Sequence, residues 1–80
     1  MKTVTVRYFA ALREAAGTPE EHVETYASSL GDLYGELRDR HGFKLEAGQI
    51  KASRNLDWTP LDAPVSDGDS VVFIPPVAGG

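Results

Sequence analysis

Cysteine is absent from the 80-residue sequence. Its absence excludes disulfide bonds, thiolate metal sites, cysteine nucleophiles and the transport of sulfur as a cysteine persulfide. The two histidines, His22 and His41, lie far apart without the spacing of metal ligands, so we predict no metal site. Any chemistry of this chain that involves sulfur must therefore use an atom other than a cysteine Sγ.

Long apolar runs are also absent. No run approaches the roughly 20 residues that a helix needs to cross a bilayer. Residues 1–4 are too few and too polar to serve as a signal peptide before the first predicted strand. We therefore expect a cytoplasmic protein that does not bind a membrane.

Basic residues are few and scattered. Lysines and arginines number 8 against 12 acidic residues, which gives a net charge of -4. Only Arg38 and Arg40 lie close together. Because nucleic-acid binding requires a basic stripe that neutralises phosphates, we expect no nucleic-acid partner. The charge balance instead favours an acidic carrier that docks on basic partner proteins.

The sequence motifs of common enzymes are missing. There is neither a Gly-rich loop followed by Lys nor a Gly-x-Ser-x-Gly motif. The Asp-Gly-Asp at residues 67–69 lacks the distal ligands of a calcium loop and predicts a turn. Glu20, Glu21 and Glu24 are interpreted as a solvated edge, and His41 as a capping or surface residue. The sequence therefore shows none of the usual catalytic constellations.

The first third of the chain predicts two strands. Residues 2–9 alternate between apolar and polar side chains, which is typical of a strand with one buried face. Residues 21–27 predict a second, shorter strand, in which Tyr26 is a better core candidate than Val23. The intervening residues 10–16 predict a short helical turn.

The main helix is predicted from Ser29 to His41. Ser29 supplies an N-cap hydroxyl, and the carboxylate of Asp32 suits the positive end of the helix dipole. Gly42 is typical of the position just beyond a helix C-terminus. The side chains at helical spacing on the predicted buried side are Leu30, Leu33, Tyr34, Leu37 and His41.

The second half of the chain predicts two or three further strands, at residues 49–54, 58–61 and 70–74. Every residue from 71 to 74 is apolar, which is typical of a strand in the middle of a sheet. With the first and last strands as parallel neighbours, and the helix across one face, the fold is α+β. It is the β-grasp (ubiquitin-like) arrangement, with a mixed sheet of four or five strands. We predict a single domain over residues 1–80.

The C-terminal segment, residues 75–80, does not have the sequence pattern of a helix or a strand. It belongs to a stretch, residues 70–80, in which no side chain is charged. Pro75 and Pro76 lack N–H donors, so strand pairing is expected to stop there. At about 3 Å per residue the segment reaches roughly 15–20 Å. These features predict a flexible apolar tail that enters a narrow channel of a partner protein.

Both ends of the chain carry a family pattern. Residues 6–17 read Val-Arg-Tyr-Phe-Ala-Ala-Leu-Arg-Glu-Ala-Ala-Gly, and residues 67–80 read Asp-Gly-Asp-Ser-Val-Val-Phe-Ile-Pro-Pro-Val-Ala-Gly-Gly. Together they resemble the small-subunit family of molybdopterin synthase (MoaD), which belongs to the ubiquitin-like sulfur carriers (MoaD/ThiS). The resemblance covers the whole chain. One departure is Arg54, because the family commonly has an apolar residue before the asparagine that is Asn55 here.

The resemblance implies that the C-terminal carboxylate of Gly80, preceded by Gly79, is the working group. A ubiquitin-activating-type adenylyltransferase, similar to MoeB, would use ATP to form an acyl-adenylate at Gly80. A sulfur donor protein would convert the adenylate to a thiocarboxylate. In the active site of a large synthase subunit, similar to MoaE, the tail would donate sulfur to a pterin precursor to form the molybdopterin dithiolene. The resemblance also implies that the catalytic groups belong to the partners and that the chain is non-catalytic on its own. No cofactor is expected to bind the chain directly, since both modifications are transient.

The predicted sheet has an uncovered face. If Val71 and Phe73 meet the helix, the alternate residues of the last strand lie on the opposite face and form an apolar patch, which often marks a partner surface. The alternative is that these residues pack inside the monomer. Arg13 is predicted to supply a polar contact at the rim of this patch. The full set of predicted docking contacts is Phe9, Arg13, Val72, Ile74, Pro75, Pro76, Val77 and Ala78.

Other functions stay open at this point. Related carriers for thiamine, transfer-RNA thiolation or cysteine synthesis share the predicted fold and the Gly-Gly end. A ubiquitin-like protein modifier would use the same activation but would join Gly80 to lysines of target proteins. A binding module without tail chemistry would tolerate the loss of Gly79 and Gly80.

Overall fold

The computed structural model describes residues 1–76, and five strands of these residues form a mixed sheet. In chain order the elements are β1 (Lys2–Tyr8), α1 (Ala10–Ala16), β2 (Glu20–Thr25), α2 (Leu30–His41), a short 3-10 helix (Ala47–Gln49), β3 (Lys51–Arg54), β4 (Asp57–Thr59) and β5 (Ser70–Ile74). Across the sheet the strand order is β2-β1-β5-β3-β4.

The first and last strands are parallel neighbours at the centre of the sheet. Val6 pairs with Val71, and Tyr8 pairs with Phe73. β2 and β3 pair antiparallel on the outer sides of β1 and β5. The prediction of a β-grasp fold is therefore confirmed. With a neighbour on each side, β5 lies in the middle of the sheet, as its apolar run predicts.

The core lies between α2 and one face of the sheet. Val71 and Phe73 of β5 are fully buried, as are Leu33 and Leu37 of α2, all at 0% exposure. Burying one such side chain contributes roughly 1.5–3 kcal/mol relative to leaving it exposed. Since α2 contains glycine at two internal positions, this packing stabilises the helix more than its intrinsic propensity does.

The ends of α2 match their sequence signals. The Ser29 hydroxyl oxygen accepts a hydrogen bond from the Asp32 N–H at 3.1 Å. Gly42 follows the helix with a φ of 72°, in the left-handed region that glycine adopts without steric cost. Its N–H donates to the Arg38 carbonyl oxygen at 2.8 Å. The predicted helix bounds are confirmed to within one residue.

The short helical turn predicted at residues 10–16 is confirmed as α1, which buries Leu12 in the core. The predicted strand bounds shift by at most two residues. The core assignment in β2 was wrong, because Val23 is 1% exposed and Tyr26 is 77% exposed. Val23 lies directly opposite Val4 on the covered face, whereas Tyr26 follows the end of the strand.

Candidate functional site

The sheet has an open face, which we define as the side turned away from α2. Opposed residues of the five strands form a row across this face, and the row consists of Glu20, Arg7, Val72, Ser53 and Trp58. Because side chains alternate along a strand, these residues point away from the buried core. The open face thus brings charged, apolar and aromatic side chains together.

A docking patch, defined as Phe9, Val72 and Ile74, occupies the end of the open face where the chain leaves β5. Phe9 is 49% exposed, and Val72 and Ile74 are partly exposed. Their neighbours Val71 and Phe73 are fully buried beneath α2. The side chains thus lie as the alternation predicts, and Phe9 does not pack inside the monomer. Docking by this patch stays a prediction.

Arg13 lies beside the docking patch on α1. It lines, with Arg7, Phe9, Pro19 and Glu20, a hollow of about 320 Å³. Arg7 Nε donates to Glu20 Oε1 at 2.8 Å, and this hydrogen bond holds the pKa of Glu20 below its usual range. Arg13 is exposed and makes no salt bridge within residues 1–76. Its guanidinium is therefore available to a partner.

Trp58 is a candidate contact that sequence reasoning missed. It is 70% exposed and lies opposite Ser53, which in turn lies opposite Val72 of the docking patch. With Lys51, Pro60 and their neighbours it lines a hollow of about 500 Å³ at the sheet edge. No local sequence pattern places it there, because its position depends on the register of β4 against β3 and of β3 against β5.

The predicted tail contacts fall at the limit of the described residues. β5 ends at Ile74, as the two following prolines predict. Pro75 is buried, whereas Pro76 is exposed. Because Pro75 is packed within the monomer, Pro76 is the better placed of the two to meet a partner. The predictions for Val77, Ala78, Gly79 and Gly80 lie outside the described residues.

A polar cluster, defined as Tyr8, Glu21 and His41, links three elements on the covered face. Glu21 Oε1 accepts a hydrogen bond from the Tyr8 hydroxyl and lies 2.7 Å from His41 Nε2. Burial opposes ionisation of Glu21, but these two contacts outweigh it and hold the pKa of the carboxyl below its usual range. Burial and the adjacent carboxylate raise the pKa of Tyr8.

This cluster corrects two sequence interpretations. Glu21 is not part of a solvated edge, because it points toward α2, while Glu20 and Glu24 are exposed. His41 lies on the buried side of α2, as its helical spacing predicts, and not at the surface, since its side chain is only 14% exposed and pairs with Glu21. Both residues connect β2 to the end of α2 and so have a structural role.

The departure at Arg54 does not alter the open face. Arg54 lies opposite Val71 and therefore points to the covered side. Its guanidinium donates to the Pro64 carbonyl oxygen and so holds a surface loop. Asn55 follows in the left-handed region, with a φ of 52°, and its amide donates to Asp69 Oδ1 at 3.2 Å. The substitution thus changes a loop contact rather than the docking patch.

Two classes of site are missing from the described part of the chain. Within residues 1–76, no three His, Asp or Glu side chains lie close enough together to hold a metal ion. None of the helices in the same residues is long and apolar enough to span a bilayer.

Comparison with known proteins identifies the family. The sequence from residue 6 to residue 80 matches the ThiS family. The chain belongs to this family. A molybdopterin synthase sulfur carrier subunit of Mycobacterium tuberculosis is 37% identical to this ThiS-family chain. The alignment is 83 residues long and covers 100% of both proteins. The protein of that description from Escherichia coli is 35% identical over 80 residues, with 96% of this chain and 99% of its own length covered.

Solved structures of other proteins share the fold of this chain. A chain in the complex of subunits 1 and 2 of the Helicobacter pylori molybdopterin-converting factor aligns with a TM-score of 0.65 and 28% identity, covering 98% of this ThiS-family chain and 99% of that chain. SAMP1 from Haloferax volcanii aligns with a TM-score of 0.78 and 25% identity, covering 98% and 99%. The β-grasp fold is common to all of them.

Proposed function

We propose that this ThiS-family protein is the sulfur carrier subunit of a molybdopterin synthase. The observation that carries the proposal is the full-length identity of 35% and 37% to two proteins of that description. The fold agrees, since β5 at the sheet centre leads directly into the Pro-Pro-Val-Ala-Gly-Gly terminus. The predicted cytoplasmic location is part of this proposal.

The working group in this proposal is the Gly80 carboxylate. A carboxylate is a poor electrophile, so the oxygen first attacks the α-phosphate of ATP on an activating enzyme and pyrophosphate leaves. A donor that delivers sulfur at the oxidation level of sulfide then attacks the acyl carbon and displaces AMP. The resulting thiocarboxylate is a strong nucleophile, which explains how a chain without cysteine carries sulfur.

The catalytic groups of this cycle belong to partner proteins. The carrier supplies one nucleophile per turn and is a subunit of a transferase rather than an enzyme on its own. Two loaded carriers are needed per dithiolene, because each thiocarboxylate delivers a single sulfur to the pterin precursor. The sulfur donor and the MoeB-like activating enzyme are further partners in the proposal.

The open face is the surface proposed to hold the carrier on the large subunit. The Helicobacter pylori neighbour is a complex of two subunits, which supports a two-chain assembly here. Phe9, Val72 and Ile74 supply apolar area next to the root of the tail, and Arg13 supplies a charged group at the rim. Docking there would direct the tail into the partner.

The other carrier and modifier functions have less support. The identity to SAMP1 is 25%, lower than the 35% and 37% to the two sulfur carrier subunits. A modifier function predicts an isopeptide-linked form after mild lysis of the host. A binding module predicts that removal of Gly79 and Gly80 has no effect.

Intact-mass spectrometry after co-expression with the activating enzyme and sulfur donor of the same organism tests the chemistry. The mass should rise by the difference between one sulfur and one oxygen atom. A chain with one residue added after Gly80 should show no such change and no molybdopterin formation, because its glycine carbonyl lies in an ordinary peptide bond. An extra residue before Met1 is the matched control and should retain both. Full activity of the C-terminally extended chain, without trimming, would contradict the proposal.

A further inference from the structure

The charged residues of the open face are unevenly distributed. Lys51 lies opposite Ile74 on one side of the docking patch, and Arg13 lies beside Phe9 on the other. Both are exposed. The apolar patch is therefore flanked by a cation on each side, at the end of the sheet where β5 ends.

Arg7, on the same face, is a cation that already has a counter-ion within the chain. Its guanidinium is paired with Glu20 at 2.8 Å, so the pair adds no net charge next to the patch. Arg13 and Lys51 make no salt bridge within residues 1–76. These two cations border the patch without an internal counter-ion in that part of the chain.

The carboxylates on the open face of the sheet are either paired or distant from the docking patch. Glu20 lines the same hollow as Arg13, but it is bonded to Arg7. On the open face, Glu24 lies opposite Thr3, at the end of the sheet away from the docking patch. The net charge of the chain is -4, so Arg13 and Lys51 are locally positive on a molecule that is acidic as a whole. Because charges are screened beyond about 10 Å at 0.1 M salt, a docked partner senses the two flanking cations more than the net charge.

We propose that the docking patch is complementary to a partner surface whose apolar centre is bordered by carboxylates facing Arg13 and Lys51. This inference rests on the proposed function and specifies the chemistry of its docking partner. It reverses the expectation from composition, which favoured basic partners. Charges at an interface rim act mainly on the association rate and its salt dependence, so the carboxylates would orient the carrier as it approaches.

Charge reversal tests the inference with the large synthase subunit of the same organism as the probe. Arg13→Glu and Lys51→Glu should each weaken the complex by about threefold to tenfold at low salt, chiefly through slower association. The loss should shrink at high salt. Lys44→Glu is the matched control, since it makes the same charge change at an exposed residue just beyond α2. It should leave the affinity within about twofold.

The outcomes separate this inference from the function on which it rests. Reversal of a rim carboxylate of the large subunit to lysine should restore binding of the Arg13→Glu or Lys51→Glu chain. Equal effects of Lys44→Glu and Lys51→Glu, or tighter binding of the reversed chains, would overturn the inference alone. Failure of the wild-type chain to bind the large subunit would overturn both.

Discussion

The covered face and the open face of this sheet are built from the same strands but differ in burial. In β5, Val71 and Phe73 are fully buried under α2, while Val72 and Ile74 between them remain partly exposed. Alternation thus places adjacent residues on different faces, in the core on one side and at the proposed docking patch on the other. Substitutions one residue apart should therefore have effects of different kinds.

The largest expected effect is on the covered face. Phe73→Ala should lower the free energy of unfolding by about 3–5 kcal/mol, because it leaves a cavity in the core. Ile74→Ala should cost less, since its side chain is only partly buried. Chemical denaturation of both variants measures the difference. Equal losses of unfolding free energy at the two positions would contradict the assignment of Phe73 to the buried face and Ile74 to the open face.

The next effect concerns recognition by the open face. Phe9→Ala should weaken the complex with the large subunit by about 1–2 kcal/mol, because an exposed aromatic ring is a common binding anchor. Isothermal titration calorimetry measures the affinity. Tyr26→Ala is the matched control, since that ring is 77% exposed but lies beyond the end of β2. If both variants bind equally well, the docking patch is wrongly placed.

A pH dependence should distinguish the polar cluster from an exposed ion pair. The folded-state pKa of Glu21 lies below its usual value of about 4.3, so the stability it adds is present above that pH and is lost as the pH falls through the lowered value. Glu21→Gln should flatten the acid side of the unfolding free energy measured against pH. Glu20→Gln should change the profile less, because Glu20 is exposed and screened by solvent. If the Glu21→Gln variant and the wild type have the same unfolding free energy profile against pH, the polar cluster does not add pH-dependent stability.

The smallest effect separates two glycines of α2. Gly35→Ala should stabilise the protein by about 1 kcal/mol, because alanine favours the helix and a Cβ there meets nothing within 4 Å. At Gly31 a Cβ would lie 3.3 Å from the Leu61 carbonyl oxygen. Gly31→Ala should therefore gain less or lose stability in thermal unfolding. Equal gains would show that the loop at Leu61 yields readily.

Most of the fold follows from local patterns in the sequence. The alternation before Phe9 and the apolar run at residues 71–74 predict the two central strands, and Ser29 and Gly42 predict the bounds of the helix. The side of β2 that is buried does not follow, because Val23 and Tyr26 lie on opposite parities and a short strand supports either choice. Pairing with Val4 decides between them.

The candidate site was predictable only where it depends on alternation. Val72 and Ile74 follow from the apolar run, since alternate residues of a central strand must face outward. Trp58 and Lys51 require the register of β3 against β4 and β5, which no local pattern specifies. The pairing of Glu21 with His41 depends on how α2 crosses the sheet, so it becomes visible only in three dimensions.

The position of β5 also has a mechanical consequence. β5 is bonded on both sides, parallel to β1 and antiparallel to β3. In the proposed complex, a force that pulls the C-terminus out of the partner would act along β5 and load both ladders in shear, so that their hydrogen bonds must yield together rather than one at a time. The carrier should therefore withstand extraction better than a protein whose terminal strand lies at a sheet edge.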